Sequence, residues 1–344
     1  MLSAIVIVDQ KRQPEQGSRE GDFSPSSLSV QGPPWLPLAF VEVLGRSVFA
    51  RLIEDLRVAG VGAISVYGSI SGARERTNSD LATNVEFRWT KDPWARATQR
   101  LIACGNSNVE QIVILRVGPY TDLDLKEALH FHREQRQGLT RVFDREGPLD
   151  IWIANPAEIT QGMDALEVLR TASPARYLMR GYVNRLESPA DLRRLAADGL
   201  TSRCRLRPRG TESRPGIWTD YGAQVDRDSR IVSPAFIGRG TKIAAQCLIT
   251  RCSNVEGNCE VDYGTVLEDS SILENSYVGI GLDVCHSIVD GGRLLNLERN
   301  IALEIADPSF IRQNKARRQD RAFQGPVAFD VRGAQSGQIE KGLR

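Results

Sequence analysis

The stretch "PAFIGRGTKIAAQCLITRCSNVEGNCEV", Pro234 to Val261, carries an aliphatic residue at every sixth position: Ile237, Ile243, Ile249, Val255 and Val261. Helices repeat every 3.6 residues and strands every two, so neither produces a period of six alone. The series begins earlier, at Val225 and Ile231, slips by one at Val266 and resumes at Ile272, Val278 and Val284. Two residues before each of the first seven stands a small side chain: Ala223, Ser229, Ala235, Thr241, Cys247, Ser253 and Cys259. This double register is the signature of a hexapeptide repeat that forms a parallel β-helix, each hexad giving one short strand and a corner of a triangular coil. The aliphatic residue points inward and crowding at the corner admits only small neighbours. Val225 to Val284 covers roughly three to four coils at about three hexads per coil. A stack this short exposes its ends and needs a neighbouring domain or subunit to cover them.

Upstream, the pattern changes. "SAIVIVD", Ser3 to Asp9, is a continuous apolar and β-branched run, as in a strand buried on both faces. A polar segment rich in Gly, Pro and Ser follows from Gln10 to Pro34, a length that marks a functional or disordered loop. "SVFARLIEDLRVAG", Ser47 to Gly60, sets Phe49, Leu52, Ile53 and Leu56 on one helical face and ends at glycine. Further strands are predicted at "AISVYG" (63–68), "NVEFRW" (84–89) and "EQIVILRV" (110–117). Helices are predicted near Pro93 to Ala103 and over Asp124 to Gln135, the second capped by Thr121 or Asp122. Such alternation predicts a parallel sheet covered on both faces, with ligands bound beyond the carboxyl ends of its strands. Short strands around "DIWIANP" and "RYLMRGYV" and a helix over Ser188 to Leu200 complete a region 1–202. A basic, turn-rich linker, 203–216, holds Arg203, Arg205, Arg207, Arg209 and Arg214. The repeat region is 217–300, and 301–344 is a C-terminal extension whose last stretch, Arg332 to Arg344, reads as a flexible tail.

At 344 residues the chain has room for two domains. Its 41% hydrophobic and 25% charged residues are those of an ordinary soluble globular protein. A net charge of +1 argues against nucleic acid or an anionic membrane as the main partner. Apolar runs such as Leu2 to Val8 are too short to span a bilayer and no signal peptide is marked, so a cytoplasmic location is the expectation. Cys104, Cys204, Cys247, Cys252, Cys259 and Cys285 form no C-x-x-C pair and read as reduced structural thiols.

Four segments carry a resemblance: "AIVIV" before the long loop, "VEVLGRSVFARLIEDLRVAGV", "ILRVGPYTDLDLKEALHFHRE" and "GYVNRLESPADLRRLAADGL". In order and spacing the chain resembles the sugar nucleotidyltransferases, the nucleotide-sugar pyrophosphorylases typified by mannose-1-phosphate guanylyltransferase. Many of these carry a C-terminal left-handed β-helix. The resemblance implies an α/β fold, a Rossmann-like nucleotidyltransferase domain followed by a left-handed parallel β-helix, and a nucleotide-sugar or sugar-phosphate ligand. The family's phosphate-cradling Gly-Gly-x-Gly-Thr-Arg-Leu loop is reduced here to Gly17, Ser18 and Arg19. Its active-site lysine aligns with Leu38, its first metal-binding aspartate with Gly118 and its second with Arg185. Nucleotidyl transfer needs a divalent cation such as Mg2+ on hard oxygen ligands, and neither position supplies one.

Three readings follow. The first is a non-catalytic or altered family member that binds its ligand, at Gly17, Ser18, Arg19 and Arg185, and regulates or scaffolds a partner enzyme as a homo-oligomer joined through the β-helix. In the second, Mg2+ has moved to new carboxylates, Asp9 or Asp122; Asp122 and Asp124, however, suit a helix start and Asp9 a strand end. The third is a hexapeptide-repeat acyltransferase with His286 as general base. His130 and His132, two apart on a helix, point to different sides and make no metal pair. The basic runs at the linker and at Ile311 to Phe323 read as solvated surface or as contacts for a phosphate-bearing ligand.

Overall fold

A computed structural model describes residues 1–9, 38–69, 85–135, 137–158, 169 and 174–314. Residues 1–314 form one compact unit.

The first half builds a seven-stranded sheet. Its strands are β1 (Leu2–Val8), β2 (Ala63–Gly68), β3 (Val85–Trp89), β4 (Gln111–Arg116), β5 (Leu139–Phe143), β6 (Pro148–Ala154) and β7 (Ala175–Leu178), in the spatial order β7-β5-β6-β4-β1-β2-β3. The expected all-parallel sheet is corrected in one place: β6 runs antiparallel to both β4 and β5. The reason is the connection, since β5 and β6 are joined by a tight turn closed by Asp144 N–H donating to Gly147 O at 2.9 Å. So short a loop cannot make the crossover that a parallel pair requires. Among the described residues this half has four α-helices: α1 (Val48–Val58), α2 (Pro93–Gly105), α3 (Leu125–Gln135) and α4 (Pro189–Leu200). Ser47 caps α1, Asp92 caps α2, and Ser188 with Asp191 forms a capping box on α4. At α3 the capping role falls to Asp124, whose Oδ1 accepts from Lys126 N and Glu127 N, and not to Thr121 or Asp122.

From Ile217 onward the strands enter three parallel sheets in rotation. Ile237 pairs with Val255, Ile243 with Val261 and Ile249 with Leu267, each eighteen residues on, or three hexads. The inward aliphatic residues from Ile237 to Val289 form one core cluster. One expectation needs correction: the inward residue after Val261 is Leu267, fully buried, and Val266 lies on the outer side, half-buried. The slip therefore falls between Leu267 and Ile272, after which partners lie seventeen apart, as in Val255 with Ile272 and Ile272 with Val289. The start of the series is open, with Val225 37% exposed.

Four of the small side chains, Thr241, Cys247, Ser253 and Cys259, also hydrogen-bond to the next turn of chain. Thr241 Oγ1 donates to Glu256 O and accepts from Cys259 N, while Ser253 Oγ donates to Leu267 O and accepts from Ser270 N. Smallness is the common requirement at the corner, met by Ala223 and Ala235 as well, and in the middle of the stack a donor there also satisfies buried backbone. All six cysteines are free. After Val289 the stack is closed by antiparallel strands Arg293–Asn296, Ile301–Glu304 and Ile311–Gln313.

The two halves share a core. Phe236, Leu273 and Ile288, on the outer face of one repeat sheet, belong to the cluster that contains Val43, Leu44, Leu195 and Leu206. The α/β half therefore covers a side of the stack and not an end, which corrects the expectation that a neighbour would cap the ends; one end is closed by the antiparallel strands and the Val225 end is open.

Candidate functional site

β1 lies mid-sheet, with β2 on one side and β4 on the other, so the chain reverses its direction of travel across the sheet between β1 and β4. In open α/β sheets a crevice opens beyond the carboxyl ends of strands at such a switch point. Asp9 and Val117–Gly118 stand at those ends, beside Ser69 after β2: Ser69 N donates to Val8 O at 3.1 Å and Val117 N to Ile7 O at 2.8 Å. Asp9 accepts from Ser69 Oγ at 3.4 Å. A Cβ added at Gly118 would meet nothing within 4 Å.

Asp122 is not free to hold a cation. Its carboxylate accepts from Arg205 N at 2.9 and 3.1 Å and from Tyr120 OH at 2.9 Å, tying the start of the linker to the loop after β4. Arg185 Nη2 donates to both carboxylate oxygens of Asp144, at 2.8 and 2.9 Å, and its Nε donates to Glu146 Oε2 at 3.1 Å. Its cation is thereby neutralised by the turn between β5 and β6. Gly17, Ser18 and Arg19 lie outside the described residues. The family's own positions do not fit a magnesium ion, since Gly118 offers no side chain and Arg185 is a cation; of the substitute carboxylates the oxygens of Asp122 are taken, and Asp9, with one contact at 3.4 Å, is a single ligand. Among the described residues no cluster of three or more His, Cys, Asp or Glu has the arrangement of a metal site. Between α1 and the loop after β4 lies a cavity of about 50 Å3 lined by Arg51, Asp55 and Tyr120 among leucines, room for a few waters. Burial raises the Asp55 carboxyl and the Tyr120 hydroxyl and lowers the Arg51 guanidinium from their usual values.

His286 sits at a corner of the repeat with φ of +50° and a side chain 35% exposed. Its Nδ1 lies 2.8 Å from Asp269 Oδ2, and Asp269 Oδ1 accepts from Arg193 Nη2 of α4 at 2.7 Å. Arg193, nearly buried, also donates to the carbonyls of Asp269, Arg251 and Cys252. His132 is buried with Nε2 3.0 Å from Asn155 Oδ1 and Nδ1 2.7 Å from Thr140 Oγ1, the pattern of a neutral ring, and burial lowers its pKa. His130 is exposed beside Glu134.

Sequence reasoning passed over two residues that hold the halves together, Arg193 and Glu256. Glu256 is fully buried, accepting from Leu44 N and Gly45 N at 2.8 Å each and from Asn254 Nδ2 at 2.6 Å. Leu44 and Gly45 carry φ of +55° and +83°, so their consecutive N–H groups converge on the carboxylate like an anion nest. Burial pushes this carboxyl up, and the three donors pull it back. The available signal was a charge within an apolar pattern: Arg193 between Leu192 and Leu195, and Glu256 directly after an inward valine.

No family model matches the chain, and no curated protein matches it. Among solved structures, HddC from Yersinia pseudotuberculosis complexed with GMP-PN is similar with a TM-score of 0.40 and 15% identity, covering 56% of this chain and 97% of that one. A second structure of HddC from Yersinia pseudotuberculosis gives 0.39 and 15%, covering 55% and 96%. Similarity at that level decides nothing about this chain. No helix among the described residues is long and apolar enough to cross a membrane.

Proposed function

We propose that residues 1–202 are a divergent sugar nucleotidyltransferase-like domain that binds a nucleotide sugar or sugar phosphate without the family's metal chemistry, and that the chain serves as a regulatory or scaffold subunit. In this reading 203–216 is the linker, and the three repeat sheets of 217–300 close into a left-handed β-helix through which copies of the chain associate. The observation that carries it is the switch point itself: strand ends suited to a phosphate ligand, with glycine at one expected metal ligand and an ion-paired arginine at the other. The resemblance of four sequence segments supports the ligand class. The test is calorimetric titration of nucleotide sugars with and without magnesium, alongside a pyrophosphorylase assay. Binding without turnover upholds the reading, and metal-dependent release of pyrophosphate defeats it. Such turnover would instead support a relocated Mg2+ site, for which Asp9 is the better placed carboxylate, since Asp122 is engaged.

A second reading is favoured by one contact. Asp269 orients the His286 ring through Nδ1, leaving Nε2 as the base of an acyltransferase. An acyl-coenzyme A hydrolysis or transfer rate that is unchanged in His286→Ala excludes it.

A further inference from the structure

Arg116 is the last residue of β4 and pairs with Ile7 of β1, so it stands at the switch point on the sheet face opposite Leu115 and Val117. Its side chain is 16% exposed, and its nearest charge is Asp150 Oδ2 at 3.6 Å. Arg141, 22% exposed, approaches the other oxygen of the same carboxylate, also at 3.6 Å. Neither separation is a hydrogen bond. Arg141 donates Nε to Leu149 O at 3.3 Å and lies over the Trp152 ring at 5.0 Å, which holds its guanidinium plane. Among the described residues Arg116 makes no hydrogen bond. Two largely buried guanidiniums thus share one carboxylate, leaving a net charge of +1 and a fork of N–H donors unmatched by protein acceptors. No nitrogen of Arg116 is among the buried side-chain atoms left without a partner, so its donors reach the surface, where an anion can meet them.

We infer that Arg116 and Arg141 form a phosphate site beside the switch point, on the side of β4 that carries β6 and β5, the two guanidiniums supplying the positive charge that a divalent cation supplies elsewhere. A tetrahedral phosphate accepts from both forks at once, which the single carboxylate of Asp150 at 3.6 Å does not. That the phosphate belongs to a nucleotide sugar or a sugar phosphate rests on the function proposed above; the anion site itself rests on Arg116, Arg141 and Asp150.

The experiment titrates the full chain with inorganic phosphate and pyrophosphate at low ionic strength without magnesium. Arg116→Gln is expected to weaken binding by about tenfold or more through loss of a charge-assisted fork. Asp150→Asn is expected to tighten it by roughly fivefold, because a like charge beside the ligand is removed. Should Arg116→Gln not fold, the Asp150→Asn affinity decides alone, since a merely structural ion pair predicts no gain. Absence of binding, or equal affinity in the wild type and both variants, overturns the site. Arg116-dependent binding of inorganic phosphate, with nucleotide sugars and sugar phosphates binding no more tightly, upholds the anion site and defeats the proposed function.

Discussion

Glu256→Gln isolates the contact that docks the repeat onto the α/β half. The glutamine amide has the shape of the carboxylate but replaces one acceptor oxygen by a donor. If its nitrogen takes the place of Oε2 it faces Gly45 N–H; if it takes the place of Oε1 it faces both Leu44 N–H and the Asn254 amide. The gentler choice leaves Gly45 N–H and the new amide N–H unpaired in a fully buried site. At about 1–3 kcal/mol for each unsatisfied donor, the expected loss is about 3 kcal/mol, or roughly two decades in the opening equilibrium of the turn. Hydrogen exchange over residues 42–47 reads this directly, because opening the turn frees the Leu44 and Gly45 amides. Protection at those amides should fall by roughly a hundredfold. A fall of less than about fivefold would refute the view that Glu256 holds the turn.

Other outcomes follow from the same geometry. Leu267→Ala should lower stability by about 2–5 kcal/mol in urea titration while Val266→Ala costs less than about 1, since only Leu267 faces the repeat core; the reverse order would restore the slip at Val266. Gly45→Ala should cost about 2 kcal/mol, because φ is +83° and the new Cβ would lie 2.8 Å from Arg209 Cβ and 3.1 Å from Phe236 Cζ. His132 has its pKa lowered by burial, so as pH drops below 6.5 the unfolded chain takes up the proton first and stability declines. The urea midpoint should fall between pH 7.5 and 5.5, about 1 unit either side of that value, more in the wild type than in His132→Asn; equal falls would show that His132 is not the group responsible.

The repeat was legible because its signal is a spacing, and the six-residue period survives as strand pairing three hexads apart. The misplaced slip had a chemical cause: Val266 and Leu267 are both aliphatic, so the pattern alone does not say which one the corner turns inward. The first strands and helices were legible as apolar runs and amphipathic stripes. The reversal of β6 was missed although "FDREGP" between the strands was its signal, a turn too short for a crossover. At the candidate site, the sequence marked Arg185 by alignment and Asp122 as a substitute carboxylate, but their roles depend on Asp144 and Arg205, which the fold brings from 41 and 83 residues away. Arg116 carried no signal, since an arginine ending an apolar strand reads as surface until Asp150 and Arg141 are placed beside it.

The most direct test of the central claim is titration of the full chain with GDP-mannose and UDP-glucose, once with magnesium and once with a chelator, while pyrophosphate release from the matching triphosphate and sugar phosphate is assayed in parallel. The account predicts that at least one nucleotide sugar binds with the same affinity in both conditions and that no pyrophosphate is released. Binding that vanishes with the chelator, together with metal-dependent release of pyrophosphate, would contradict it.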